Sequence, residues 1–170
     1  LGRAGPHADA YAFGPQGELL SASRYENALR RLGMLNSSAP GASVLNVQVR
    51  DPGADLTSGR QAALPPDQRP LTRMAAAAVA HDDGIDLEGY RDYRGVTVVG
   101  AWEWLDDYGF GVAAELEGQG DILERRHPAG AGLVSLEDAA RLDLRHLSRL
   151  VRHAGHEHVH GLDRALELER

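Results

Sequence analysis

Hydrophobic positions alternate in short runs along the first two-thirds of the chain, and turn residues break the runs apart. Residues 9–13 read as a short strand with Tyr11 and Phe13 on one face. Gly14-Pro15-Gln16-Gly17 is a turn, because proline presets φ and glycine accepts positive φ. Residues 18–23 are expected to return as a second strand and close a hairpin. Ser23 with Glu26 gives a capping-box pattern, and Tyr25, Ala28, Leu29 and Leu32 share the helical face that follows, with Gly33 as the stop. Residues 44–49 alternate as a half-buried strand, Leu45, Val47 and Val49 to one side and Asn46 and Gln48 to the other. Residues 51–70, rich in Pro, Gly, Asp and Ser, form a long surface loop. Thr72 caps an alanine-rich helix running to Ala80, which Asp82-Asp83-Gly84 ends. Residues 95–105 are a long strand, Asp106-Asp107-Tyr108-Gly109 a tight turn, and residues 110–117 the returning strand. In that last strand Phe110, Val112, Ala114 and Leu116 are expected to face in, and Glu115 and Glu117 out. The order strand, strand, helix, strand, helix, strand, strand is α+β.

Composition divides the chain. All nine aromatic residues precede residue 111, whereas six of the eight histidines follow residue 126. Large aromatics carry much of a core's burial. A compact module over residues 1–117 and a mostly helical or partly disordered tail over 118–170 are therefore expected, joined at Gly118-Gln119-Gly120. In the tail, Leu136, Ala140, Leu144, Leu147 and Val151 fall on one helical stripe behind a Ser135-Leu136-Glu137-Asp138 start. The chain holds 25 acidic and 18 basic residues, a net charge of −7, which argues against nucleic-acid or anionic-membrane binding. Every basic residue is arginine, so no lysine serves as a P-loop anchor, Schiff base or general base. With no cysteine there is no disulfide, thiolate metal site or thiol nucleophile. The longest apolar run, residues 74–80, is far below the roughly 20 residues of a membrane span. A start at Leu1 rather than Met gives the expectation of a piece of a larger parent.

Three strings occur in order: Ala10-Tyr-Ala-Phe-Gly-Pro-Gln-Gly-Glu-Leu-Leu-Ser-Ala-Ser-Arg24, Asn46-Val-Gln-Val-Arg-Asp-Pro-Gly53, and Tyr90-Arg-Asp-Tyr-Arg-Gly-Val-Thr-Val-Val-Gly-Ala-Trp102, the last running on through Asp106-Asp-Tyr-Gly-Phe-Gly-Val-Ala-Ala-Glu-Leu-Glu117. Together they resemble the Cache family of extracytoplasmic sensor domains, in particular the membrane-proximal, PAS-like module of a double-Cache receptor. The resemblance covers residues 1–117. It departs at His7-Ala8-Asp9-Ala10, at Thr97, where Pro is common, and in the tail, which lacks the expected membrane helix. It implies a five-stranded antiparallel sheet with helices on one face. It also implies a non-enzymatic, ligand-sensing input domain of a receptor kinase, cyclase or chemoreceptor, placed outside the cytoplasm and attached to the membrane only through its parent. Its partners would be a small-molecule ligand, the parent's signalling domains and a second copy in a homodimer, with no cofactor.

In such modules the ligand lies between the sheet and its covering loops. That makes Tyr90, Tyr93, Arg94 and Trp102 the ligand-binding candidates: arginine clamps a carboxylate with two hydrogen bonds, and aromatic rings wall a pocket or hold a cation. Trp102 and Trp104 project to the same side of their strand. Arg24 is a lesser candidate beside Ser23. The tail offers His153, His156, His158 and His160 as weak metal-ligand candidates, with Glu157 as a neighbouring base. These residues lack the His-Glu-x-x-His spacing, and Gly155 and Gly161 weaken a helix there. The alternative functions are a small metal-binding protein or metal-dependent hydrolase using those histidines, and a ligand-free structural spacer or dimerisation module. Asp82-Asp83 and Asp106-Asp107 sit in turns and lack the alternating oxygen spacing of a calcium loop.

Overall fold

The structure, a computed structural model, describes residues 8–117. Four strands and two short helices appear in the order β1 (Ala8–Phe13), α1 (Glu26–Arg31), α2 (Arg73–Val79), β2 (Gly84–Arg91), β3 (Thr97–Leu105) and β4 (Phe110–Glu117). The strands form one antiparallel sheet in the order β1-β4-β3-β2. The α+β class is as expected, with four strands where five were predicted. No helix of the described residues is long and apolar enough to cross a membrane. The expected tail helices, and the tail's boundary with the module, lie outside the described residues.

The register of the sheet aligns its covered face in rows. One row runs Asp9, Glu115, Gly100, Asp86; the next runs Tyr11, Ala113, Trp102, Gly84; Phe13, Gly111 and Trp104 follow. Small residues lie where large rings from adjacent strands need room. A Cβ added at Gly111 would run into the Phe13 ring, and one at Gly100 into the Tyr90 hydroxyl. Onto this face fold Leu29 of α1, Leu35, Val47 and Val49 of the connecting segment, and Met74, Ala75 and Ala78 of α2. Each fully buried side chain of leucine or phenylalanine size stabilises by about 1.5–3 kcal/mol. The opposite face carries a thinner apolar layer of Leu105 and Val112 with Ala10, Ala12, Tyr108 and Phe110.

Several expectations are corrected. Residues 18–23 do not form a strand; only isolated bridges remain, Phe13 to Leu19 and Glu18 to Gln48. Leu19 sits between two partners: on the β1 side Gly14 donates to the Glu18 carbonyl at 2.9 Å and Leu20 to the Ala12 carbonyl at 2.8 Å, and on the other side Leu19 donates to the Val47 carbonyl at 2.9 Å and accepts from Leu45 at 2.8 Å. The pairing with β1 stops where the Ala12 N–H donates to the Ser21 hydroxyl at 3.0 Å instead of to a backbone carbonyl. Residues 44–49 are likewise no strand. Val47 and Val49 are buried as predicted, but Leu45 has φ 61° and is 66 % exposed. A left-handed backbone costs a branched residue on the order of 1–3 kcal/mol. The capping box does not close, and Tyr25 rather than Ser23 is the residue before α1. Glu26 accepts from the Ser43 backbone and hydroxyl at 3.0 and 2.9 Å, while Ser23 donates its backbone N–H to the Ser43 hydroxyl at 2.8 Å. Thr72 does cap α2, accepting from the Ala75 N–H at 3.3 Å. That helix ends before Asp82: Ala80 is its last cap and His81 turns the chain at φ 59°.

β2 went unpredicted because its alternation is broken. The register shifts between Asp86 and Tyr90, where the Asp86 carboxylate accepts from the N–H groups of Glu88 and Gly89 at 2.9 and 3.0 Å. Such a bulge re-aims the strand. Glu115 does not face out. It is 4 % exposed, on the covered face with Ala113.

Candidate functional site

A turn after β2 builds one wall of the site. Asp92, 1 % exposed, accepts from the backbone N–H groups of Arg94 and Val96 through one carboxylate oxygen at 2.8 and 2.9 Å. Gly95 completes the turn at φ 83°, pressed against the Ala54 carbonyl so closely that a Cβ has no room. The turn holds Tyr93 and Arg94 against the sheet.

Arg94 is buried, and two of its guanidinium nitrogens bind carboxylates. Its Nε donates to Asp92 at 2.8 Å, and one terminal nitrogen lies 2.7 Å from both Asp92 and Glu117. Its guanidinium stacks 3.5 Å over the Tyr25 ring. Burial lowers the pKa of an arginine, yet the Asp92 charge and the bond to Glu117 win and hold this one above its ordinary value. Removing one partner of a buried pair like Asp92–Arg94 costs about 3–5 kcal/mol, because the other charge is stranded.

Tyr93 lies beside this clamp, fully buried. Its hydroxyl shares a 2.8 Å hydrogen bond with Ser23 and donates to Asp9 at 3.2 Å. Ser23 also accepts from the Tyr25 N–H at 2.9 Å, so one serine ties the start of α1 to the sheet. Burial raises the Asp9 carboxyl above its usual range, against the lowering effect of the Tyr93 bond.

Tyr90 reaches across the sheet over Gly100 and donates to Glu115 at 2.9 Å. Glu115 faces Asp9 directly in the β1–β4 register, so two buried carboxyls are neighbours. Burial first, and then the nearby Asp92 charge, push Glu115 up to about 8. The Tyr11 hydroxyl is also buried here. It helps to hold the Glu115 charge yet forms no hydrogen bond of good geometry. The phenols of Tyr11, Tyr90 and Tyr93 are all driven well above the ordinary tyrosine value, chiefly by burial. Trp102 closes the row. Its ring meets Tyr90 edge-on with centroids 6.1 Å apart, and its indole N–H donates to the Asp82 carbonyl at 2.7 Å.

The structure therefore brings the four predicted residues Tyr90, Tyr93, Arg94 and Trp102 to one covered face. Sequence reasoning missed Asp9, Tyr11 and Glu115 as parts of the same cluster. The signal for Glu115 was present in the small residues beside it, Gly100 and Ala113, which make space for rings rather than mark a solvent face. Arg24 is not part of the cluster: it is exposed, bonds the Ala8 carbonyl and sits 5.6 Å over Tyr25. Asp83 and Asp106 act locally, Asp83 accepting the Trp104 backbone N–H at 2.6 Å and Asp106 lying 2.7 Å from His81. Among the described residues no group of three or more His, Asp or Glu side chains is arranged to hold a metal ion. His153, His156, His158 and His160 lie outside those residues.

An open cleft of about 260 Å³ is built by the covering segments, from Gly33, Met34, residues 45–48, Arg50, Pro66 and Arg69; none of the four predicted residues lines it. No family model, curated protein or solved structure matches the chain.

Proposed function

We propose that residues 1–117 are the ligand-sensing input module of a membrane-bound signalling receptor, Cache-like, extracytoplasmic and non-enzymatic. The ligand is a small amine. Tyr90, Tyr93 and Trp102 wall its site, Asp9 and Glu115 receive the ammonium group, and Arg94 fixes the turn that carries Tyr93. The observation that carries this reading is the Tyr11 hydroxyl, fully buried between two carboxyls and two further tyrosines, close enough to Glu115 to hold its charge yet in no hydrogen bond of good geometry. A buried polar group left unpaired costs about 1–3 kcal/mol, and a ligand that supplies its partner recovers that energy. Aromatic faces and carboxyls together suit a cation. A carboxylate ligand is disfavoured because Arg94 already binds Asp92 and Glu117.

Transmission is supported by the sheet's geometry. Ala8 and Leu116 are direct partners, so the two ends of the described chain leave the sheet side by side. A ligand wedged against β1 and β4 changes the spacing of those ends, and a shift of an ångström or two is enough to bias an attached helix. The test is a thermal-shift screen of the full chain against amines, amino acids and carboxylates. The expected result is stabilisation by amines that Tyr11→Phe weakens. A flat response to all three classes favours the second reading, a ligand-free spacer, which the engagement of Arg94 with Asp92 and Glu117 supports.

A further inference from the structure

The cleft lined by Met34, Leu45, Arg50, Pro66 and Arg69 has a chemistry opposite to that of the acidic cluster under the sheet. In a chain of net charge −7, it gathers two guanidiniums that no carboxylate neutralises among the described residues. Arg50 donates only to neutral oxygens: the Gln48 side chain at 2.7 Å, the Arg69 carbonyl at 2.6 Å and the Gln16 carbonyl at 3.3 Å. Arg69 donates through Nε to the Leu64 carbonyl at 3.0 Å. The bond from Arg50 to the Arg69 main chain holds the two residues together in the cleft's lining. Met34, Val47 and Pro66 supply apolar lining. Leu45 completes it, kept at φ 61° and 66 % exposed by the hydrogen bond from its N–H to Leu19. A branched side chain held outward in a strained backbone, next to unneutralised arginines, is the pattern of a binding site rather than of a folding surface.

We propose that this cleft binds a small organic carboxylate with a short apolar body, its carboxylate between Arg50 and Arg69 and its body against Leu45 and Met34. Arginine's planar fork matches carboxylate geometry, and two uncompensated guanidiniums have no internal anion to displace. The volume of about 260 Å³ suits a ligand of benzoate or hexanoate size. The site stands apart from the amine site and does not depend on it.

The experiment is an amide-resolved NMR titration of the full chain with benzoate and hexanoate, and with benzamide and hexanamide as neutral matches. Saturable shifts at Met34, Leu45 and Val47 are expected for the acids, at least tenfold weaker for the amides, and weakening as salt is raised. Arg69→Gln, which gives up a single main-chain bond, should reduce acid binding at least tenfold. Arg50→Gln should do the same, with unshifted amides in β3 and β4 confirming its fold. Equal binding of acids and amides, wild-type affinity in both variants, or no shift at millimolar acid overturns the proposal. Shifts confined to Tyr90 and Trp102 overturn it too, and would also count against an amine as the ligand of the sheet site; failure at the cleft alone leaves the sensor reading in place.

Discussion

At the scale of the residue, Glu115 shows how burial decides chemistry. Its neighbours in the row are Asp9 and Gly100, and among the described residues its hydrogen-bond donor of good geometry is Tyr90. The folded-state pKa is pushed up to about 8, above the ordinary glutamate value of 4.5 that the unfolded chain retains. The folded protein therefore binds more protons between those values. This stability contribution is fully present below pH 4.5 and is lost as pH rises to about 8. Denaturant titrations across that window should show Glu115→Gln, whose amide oxygen still accepts from Tyr90, with a shallower loss of stability than the wild type. Identical pH slopes would contradict the buried placement. The same residue marks a limit of sequence reading. Phe110, Val112, Ala114 and Leu116 are the more apolar set in β4, so alternation assigns them the core. The main core lies on the other face, where Gly111 and Ala113 are small because Phe13, Tyr11 and Trp102 from adjacent strands cover them.

At the scale of the element, local signals succeeded where the backbone is regular. β1, β3 and β4, with the turn at residues 106–109, follow from alternation and turn chemistry. α2 follows from Thr72, whose buried hydroxyl satisfies one of the N–H groups that a helix start leaves open. Thr72→Ala should lower stability by about 1 kcal/mol in chemical denaturation, and Thr72→Ser should restore most of it. An unchanged midpoint for the alanine variant would show that the cap contributes nothing. The failures trace to side-chain hydrogen bonds that alternation does not record, tertiary in two cases and local in one. Ser21 takes the Ala12 N–H and ends the pairing with β1, Asp86 folds its own strand into a bulge, and Ser43 takes the place of the Ser23–Glu26 box. None of these partners is near in sequence, save Asp86's own, so no short window shows them.

At the scale of the molecule, one antiparallel sheet carries an acidic, aromatic cluster on its covered face and brings its two ends together at β1 and β4. Of this site the aromatic part was legible, since Tyr90, Tyr93 and Trp102 stand in one string with Arg94. The acidic part was not, since Asp9 and Glu115 meet only through the register of β1 and β4. The chain has only two tryptophans, both packed into the core cluster of this face. Their indole N–H signals are therefore a direct reporter, and the decisive measurement is their NMR shift during titration with small aliphatic and aromatic amines. The account predicts that the Trp102 signal moves saturably and that Tyr11→Phe weakens the effect at least fivefold. Indole signals that stay fixed at millimolar amine would contradict it.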